Sequence, residues 1–401
     1  MNFGKLGLMA LAAASAVVGI GGAQAQSQEA IEHSGHTFHQ AVCARAIGKG
    51  EARCFAHVVT DERGNPLAGK PVEAAPNVTP SGFGPASLRS AYAISGSGSS
   101  TSVVAIIDAQ GYPNAEADLA VYRAQYGLPP CTTANGCFIK KDQRGGTAFP
   151  RYNSGWAQEQ ALDLDMASAM CPNCKILLVQ ADSASFANLA AAVNYASTYN
   201  GVVAISNSYG GGEAGSSAYN SAYSHPGIAV TASSGDSGFG ASFPATSPTV
   251  IAVGGTRLVA SGNARGWAET AWSSGGSGCS ATYAKPLWQT DQGCTNRMEA
   301  DVSAVGDPAT GVAVYGPTGK GSQSGWLVFG GTSVSAPIIG GIYGVAGHGA
   351  SNASLFWSSP GSINDITSGS NGTCSVAYFC NAGTGYDGPT GNGTPIGIGA
   401  F

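Results

Sequence analysis

The sequence predicts an α/β fold, a doubly wound, mostly parallel sheet with helices on both faces. Three observations lead there: short continuous apolar runs rich in β-branched residues recur from Ser102 onward, helical stretches of 10 to 15 residues separate them, and the runs do not alternate apolar with polar. That is the pattern of strands buried on both faces. The chain has 401 residues, 43% of them hydrophobic, enough to bury the core such a sheet needs.

Taken in order, "SVVAIIDA" (102–109) reads as a strand and "NAEADLAVYRAQYG" (114–127) as an amphipathic helix. A helix around 158–170, a strand "KILLVQA" (175–181) and a helix "FANLAAAVNYAS" (186–197) follow. The strands "VVAISNS" (202–208), "GIAVTAS" (227–233) and "TVIAVGG" (249–255) complete the run. The segment beginning "TSVSAPIIGGIYG" reads as a long apolar helix with Ser333 in its first turn, in the favourable field of a helix N-terminus. Functional groups in open parallel sheets gather beyond the carboxyl ends of the strands.

The ends of the chain are of a different character. Lys5, the apolar run Leu6 to Ile20 and Ala23-Gln24-Ala25 predict a secretory signal peptide (1–25) cleaved before Gln26. Residues 26–85, ending in the Pro/Gly/Ser-rich "AAPNVTPSGFGPASL", read as a short prosegment and linker, and 86–401 as the main domain. Ten cysteines in a secreted chain predict disulfides between sequence neighbours: Cys43 with Cys54, Cys131 with Cys137, Cys171 with Cys174, Cys279 with Cys294 and Cys374 with Cys380. The rival reading, zinc at Cys171 and Cys174, lacks two further ligands. Only 10% of residues are charged and the formal net charge is -5, so no basic patch points to nucleic acid. No segment after the signal peptide is long and apolar enough to span a membrane.

Ser333 raises the question of what takes its proton, since a hydroxyl needs a nearby base to become a nucleophile. The six histidines, His33, His36, His39, His57, His225 and His348, read as surface or structural residues. In "WAQEQALDLDMASAMCPNC" (156–174), Glu159 and Asp163 are i and i+4 and share a helix face, while Asp165 points away. Held close in a cleft, such a pair shares a proton. Asp236, in Ser-Gly-Asp-Ser-Gly, reads alone as a turn residue accepting local N–H groups.

Together these motifs change the reading. Glu159-Gln160-Ala161-Leu162-Asp163, Ser233-Ser234-Gly235-Asp236-Ser237-Gly238 and Gly331-Thr332-Ser333-Val334-Ser335-Ala336-Pro337 stand in the order and register of one family, and the chain resembles the sedolisins, the serine-carboxyl peptidases. The resemblance runs from about Leu88 to the C-terminus and takes in "SPTVIAVGGT", "DVSAVGDPATGVAVY", "DITSGSNG" and "AGTGYDGPTG". It implies a subtilisin-like fold and a secreted, monomeric endopeptidase acting on protein or peptide substrates in acid. Ser333 would then be the nucleophile, Glu159 the general base, Asp163 its orienting partner, and Asp236 an oxyanion donor beside the Ser333 N–H. The resemblance also implies one structural calcium ion (Ca2+), held by the side chains of Asp365 and Asp387 and the carbonyls of Ile366, Gly383 and Gly385, oxygen donors of the kind calcium prefers. Asp108, closing the first strand, would support the acid network. Against this stand a non-catalytic secreted binding protein on the same scaffold and a neutral serine peptidase using His348 or His225.

Overall fold

Val104 and Ile106 pack into one hydrophobic core while Val103, Ala105 and Ile107, their neighbours on the same strand, pack into another. A strand whose side chains alternate between two cores lies in the middle of a three-layer arrangement. The computed structural model describes residue 1 and residues 29–45, 48–67, 80–319 and 323–401. Residues 2–25 of the predicted signal peptide lie outside the described residues.

The N-terminal part contributes β1 (Ile31–Ser34), β2 (Thr37–Ala41), β3 (Arg53–Cys54) and β4 (His57–Thr60). After α1 (Pro85–Ala91) come β5 (Val103–Ala109), α2 (Ala115–Gln125), β6 (Phe138–Asp142), α3 (Ser154–Met170), β7 (Lys175–Ala181) and α4 (Phe186–Ser197). Next are β8 (Val202–Asn207), the short β9 (Tyr209–Gly210), β10 (Ala229–Ser233) and β11 (Ile251–Ala260). The last part adds β12 (Trp267–Ala271), β13 (Gly278–Ala284), β14 (Asn296–Glu299), β15 (Val302–Val305), β16 (Val312–Pro317), β17 (Ser324–Gly330) and α5 (Thr332–Ala346).

The central sheet runs in the order β12, β11, β10, β8, β5, β7, β6, with β15 also beside β11. Every pairing is parallel except β11 with β12, as the sequence predicts for a mostly parallel sheet. Helices α3 and α5 cover one face; α4 covers the other through Phe186, Leu189 and Val193. Asn153 caps α3 by accepting from Trp156 N at 3.1 Å, and Ser185 caps α4 by accepting from Asn188 N.

All five expected disulfides are formed, Cys171–Cys174 included, which removes the zinc reading at that pair. The segment read as prosegment and linker is built onto the body. Strands β1, β2 and β4 extend β17 and β16 into an antiparallel five-stranded sheet, and β3 pairs antiparallel with β9.

Candidate active site

Strand β5 has β7 on one side and β8 on the other, so the winding reverses there and a crevice opens at the carboxyl ends of the strands. Four positions on that edge matter: Asp108 near the end of β5, Ser208 after β8, Asp236 after β10, and Ser333 in the first turn of α5. Helix α3 passes beneath with Glu159 and Asp163.

Helix α3 is buried all round, yet it carries Gln158, Glu159, Gln160, Asp163 and Asp165. Three of these serve structure. Gln158 donates to the Pro317 carbonyl at 2.8 Å, Gln160 donates to the Ala109 carbonyl at 3.1 Å and accepts from Gln180, and Asp165 accepts from Tyr315 N at 2.9 Å. The outward turn expected for Asp165 thus leads to β16, not to water. Glu159 and Asp163 differ in what they face: each lies against the other, Glu159 beside Ser333 and Asp163 beside Ser208.

The structure brings the expected residues together. Ser333 is fully buried; its hydroxyl donates to the Ser208 carbonyl at 3.2 Å and lies within hydrogen-bonding reach of Glu159. Glu159 in turn hydrogen-bonds Asp163, which accepts from the Ser208 hydroxyl at 2.8 Å. Two carboxyls joined this way must share a proton. Burial first, then the charge of Asp163, raises Glu159 well above the ordinary range, while the Ser333 hydroxyl and Ala56 N pull it down. Burial and Asp108 raise Asp163; burial and Glu159 raise Asp108. The three titrate as a unit.

Asp236 stands on the other side of Ser333. Its Oδ1 accepts from Thr332 N at 2.9 Å and from Thr332 Oγ1 at 2.7 Å, and its Oδ2 has no conventional donor. Burial pushes it up to about 7 against the two Thr332 bonds. Gly331, the N-cap of α5, has φ +102°, and a Cβ there would stand 2.8 Å from Asp236 Oδ2. Only glycine leaves this space open. The N–H of Ser333 is among the first-turn donors that a helix cannot satisfy internally.

Near the C-terminus, Asp365 and Asp387 come together over the loop 383–387. Gly385 N donates to Asp365 Oδ2 and Gly383 N to Asp387 Oδ2, each at 2.9 Å. Burial, with Asp365 adding to it, raises Asp387 to about 7. Two neighbouring carboxylates are the hard oxygen donors that a divalent cation takes.

Sequence reasoning missed Ser208 and Thr332, whose roles depend on approaches across 45 and 96 residues of chain. It also missed Phe55 and Ala56, whose N–H groups reach Ser333 Oγ at 3.1 Å and Glu159 Oε2 at 2.9 Å. No local signal marks them.

A wound α/β sheet whose crevice holds a serine joined to buried carboxyls defines a class of subtilisin-like proteins. Residues 147–360 match the profile of the Subtilase family. Kumamolisin of Bacillus sp. (strain MN-32) is 34% identical over 282 residues, 60% of this chain and 49% of that protein. Sedolisin of Pseudomonas sp. (strain 101) is 34% identical over 177 residues, 39% of this chain and 29% of that protein. The structure of Pseudomonas sedolisin, a serine-carboxyl proteinase complexed with two molecules of pseudo-iodotyrostatin, superposes with a TM-score of 0.67 at 27% identity, covering 80% of this chain and 96% of that one. The matched stretches span half or less of the two curated relatives. The chain belongs to the subtilase family and, within it, to the sedolisins.

Proposed function

We propose that the protein is a secreted serine-carboxyl endopeptidase that hydrolyses peptide bonds of proteins in acid through an acyl-enzyme on Ser333. The observation that carries this reading is the gathering of the buried Ser333 hydroxyl, Glu159 and Asp163 side by side. In the proposed reaction Ser333 Oγ attacks the substrate carbonyl as Glu159 takes its proton, Asp163 holds Glu159 in place, and Glu159 then protonates the leaving amine. The developing oxyanion is held by the Ser333 N–H and by Asp236, which donates only when protonated. That requirement confines the donor role to pH values below about 7, where Asp236 holds its proton. Five disulfides support an oxidising, extracellular destination.

Histidine bases are disfavoured. His57 faces His39 and lies 3.4 Å from Asp236, and His225 bonds the Ala222 carbonyl. His348 lies past the far end of α5, about 20 Å from Ser333 along the helix axis. One calcium ion, held by Asp365 and Asp387 with the carbonyls of Ile366, Gly383 and Gly385, would neutralise the two carboxylates and tie the C-terminal loop to the body.

Hydrolysis of an unfolded protein from about pH 3 to about pH 8 tests the reading, with Ser333→Ala and Glu159→Gln alongside. Activity in acid, lost in both variants, is expected. Activity near neutrality that survives Glu159→Gln would return the base to a histidine, and inactivity at every pH would favour the binding-protein alternative.

A further inference from the structure

Strands β1, β2 and β4 bring three metal-ligating side chains to one face of the N-terminal sheet. Glu32 of β1 stands directly opposite His39 of β2, and His57 of β4 stands opposite Ala41, two residues along β2 from His39. Residues opposite each other, or two apart on one strand, share a face. Both histidines are 1% exposed, and their Nδ1 atoms lie 3.0 Å apart. One oxygen of Glu32 and one ring nitrogen of each histidine all fall within 4.8 Å of one another.

The second nitrogen of His57 points the other way. Its Nε2 lies 3.4 Å from Asp236 Oδ2, and neither atom has another hydrogen-bond partner. A metal-bound histidine characteristically gives its second ring N–H to a carboxylate, which fixes the tautomer and aims the first nitrogen's lone pair at the ion. His57 has this arrangement, with Nε2–H toward Asp236 and the Nδ1 lone pair toward His39. The carboxyls of Asp236 and Asp307 act on the two rings, against the guanidinium of Arg53.

We propose that Glu32, His39 and His57 bind one divalent transition-metal ion of the zinc type, through a carboxylate oxygen and the two Nδ1 atoms. Zinc holds imidazole nitrogen and carboxylate oxygen at about 2.0–2.2 Å in a tetrahedron, which sets neighbouring ligand atoms about 3.3 Å apart. The two nitrogens, at 3.0 Å, need open by only about 0.3 Å, and the carboxylate needs to close by at most about 1.5 Å. Glu32 is exposed, so a change of rotamer covers that distance. On binding, the proton that His39 Nδ1 shares with His57 moves to His39 Nε2, both Nδ1 lone pairs turn to the ion, and water takes the fourth position. Two imidazoles select against calcium, which takes oxygen ligands. With one ligand from each strand, the ion ties the exposed β1 to β2 and β4. The inference does not depend on the serine-carboxyl reading.

The test uses the full chain carrying Ser333→Ala, so that no peptidase activity alters it, at neutral pH with calcium at saturation. Zinc chloride is titrated by calorimetry and cobalt chloride by visible absorption. One zinc ion per chain, a tetrahedral cobalt spectrum, and slower hydrogen exchange in β1, β2 and β4 with β5, β7 and β8 unchanged are expected. Glu32→Gln and His39→Asn should each weaken zinc by more than the roughly 10- to 100-fold that losing an outer partner of a ligand costs. Undiminished binding in either variant overturns the inference, and zinc held instead by the exposed His33 or His36 would give that result in His39→Asn. Binding lost in Asp387→Ala places zinc in the loop 383–387 and overturns it too, as does a chain that takes up no zinc. Should His39→Asn lose its sheet signal in circular dichroism, the exposed Glu32→Gln and the cobalt spectrum decide, an octahedral spectrum or an unchanged affinity counting against the site.

Discussion

Replacing Asp236 by asparagine separates the two parts a carboxyl could play beside Ser333. Oδ1 is committed to Thr332, accepting at 2.9 and 2.7 Å, while Oδ2 lies 3.4 Å from His57 Nε2 and beside Gly331, on the side where the proposed oxyanion would form. An amide keeps the acceptor and offers an N–H at any pH; a carboxyl offers its O–H only when protonated. Burial lifts Asp236 from an ordinary 3.8 to about 7, which corresponds to about 4 kcal/mol in favour of the protonated form. Because the folded value lies above the unfolded one, this stabilisation is complete below about pH 4 and is lost as the pH rises through about 7. Urea unfolding at those two pH values should show a loss of stability that is greater in the parent chain than in Asp236→Asn by an amount on the order of 4 kcal/mol. For activity, initial rates on a fluorogenic peptide with Phe before the cleaved bond give the decisive comparison. Asp236→Asn should stay within about tenfold of the parent in acid and keep working toward neutral pH, while Asp236→Ala should fall by about 10² to 10³, roughly 3 to 4 kcal/mol. If asparagine falls as far as alanine in acid, Asp236 is not acting as a hydrogen-bond donor and the argument fails.

Three further outcomes are expected. Gly331→Ala combines a φ of +102° with a Cβ seated where a carbonyl must lie, so peptide hydrolysis should drop by at least about 10²-fold with the far-UV circular dichroism unchanged; near-parental rates would show that the carbonyl seat lies elsewhere. Burial holds His57 well below 6.5 and His39 at about 4, in surroundings that also include His33, Arg53, Asp236 and Asp307. Their folded values are depressed, so the attachment they support is complete above about pH 6.5 and is lost as the pH falls toward 4. In a Ser333→Ala background, hydrogen exchange in β1, β2 and β4 should accelerate over that window, and much less so in His39→Leu; exchange independent of pH would refute this. Removing calcium with a chelator should lower the Tm, and added calcium should restore it, whereas Asp387→Ala should be insensitive to both; a parental Tm unmoved by chelation would exclude the ion from the loop 383–387.

The central sheet was legible because its strands are buried on both faces. The strand 175–181 and the helix 186–197 are found with the bounds their apolar runs predict. The N-terminal strands were not, because β1 is largely exposed, β3 has two residues, and their order comes from pairing with β17 and β9, far away in sequence. In the site, the i, i+4 spacing of Glu159 and Asp163 gave their common face, and Asp108 was placed near them by its position at a strand end. Ser208 and Thr332 could not be read, since a serine after a strand and a threonine at a helix start become carboxylate ligands only once the sheet has closed around them. Asp165 shows the opposite limit, for its direction was legible but not the strand waiting there.

The occupied cleft explains why its acids and its histidines respond to pH in opposite senses. Burial is the leading cause of the rise at Asp108, Glu159, Asp163 and Asp236. Part of that burial comes from Phe55 and Ala56, which close over Ser333 and Glu159. With Phe55 and Ala56 in place the carboxyls hold their protons toward neutrality. His39 and His57, under the same strands, stay neutral for the same reason and are charged by acid. A fall in pH from about 7 toward 4 therefore protonates Asp236 and charges His39, so the acids lose charge over the same window in which the histidine gains it.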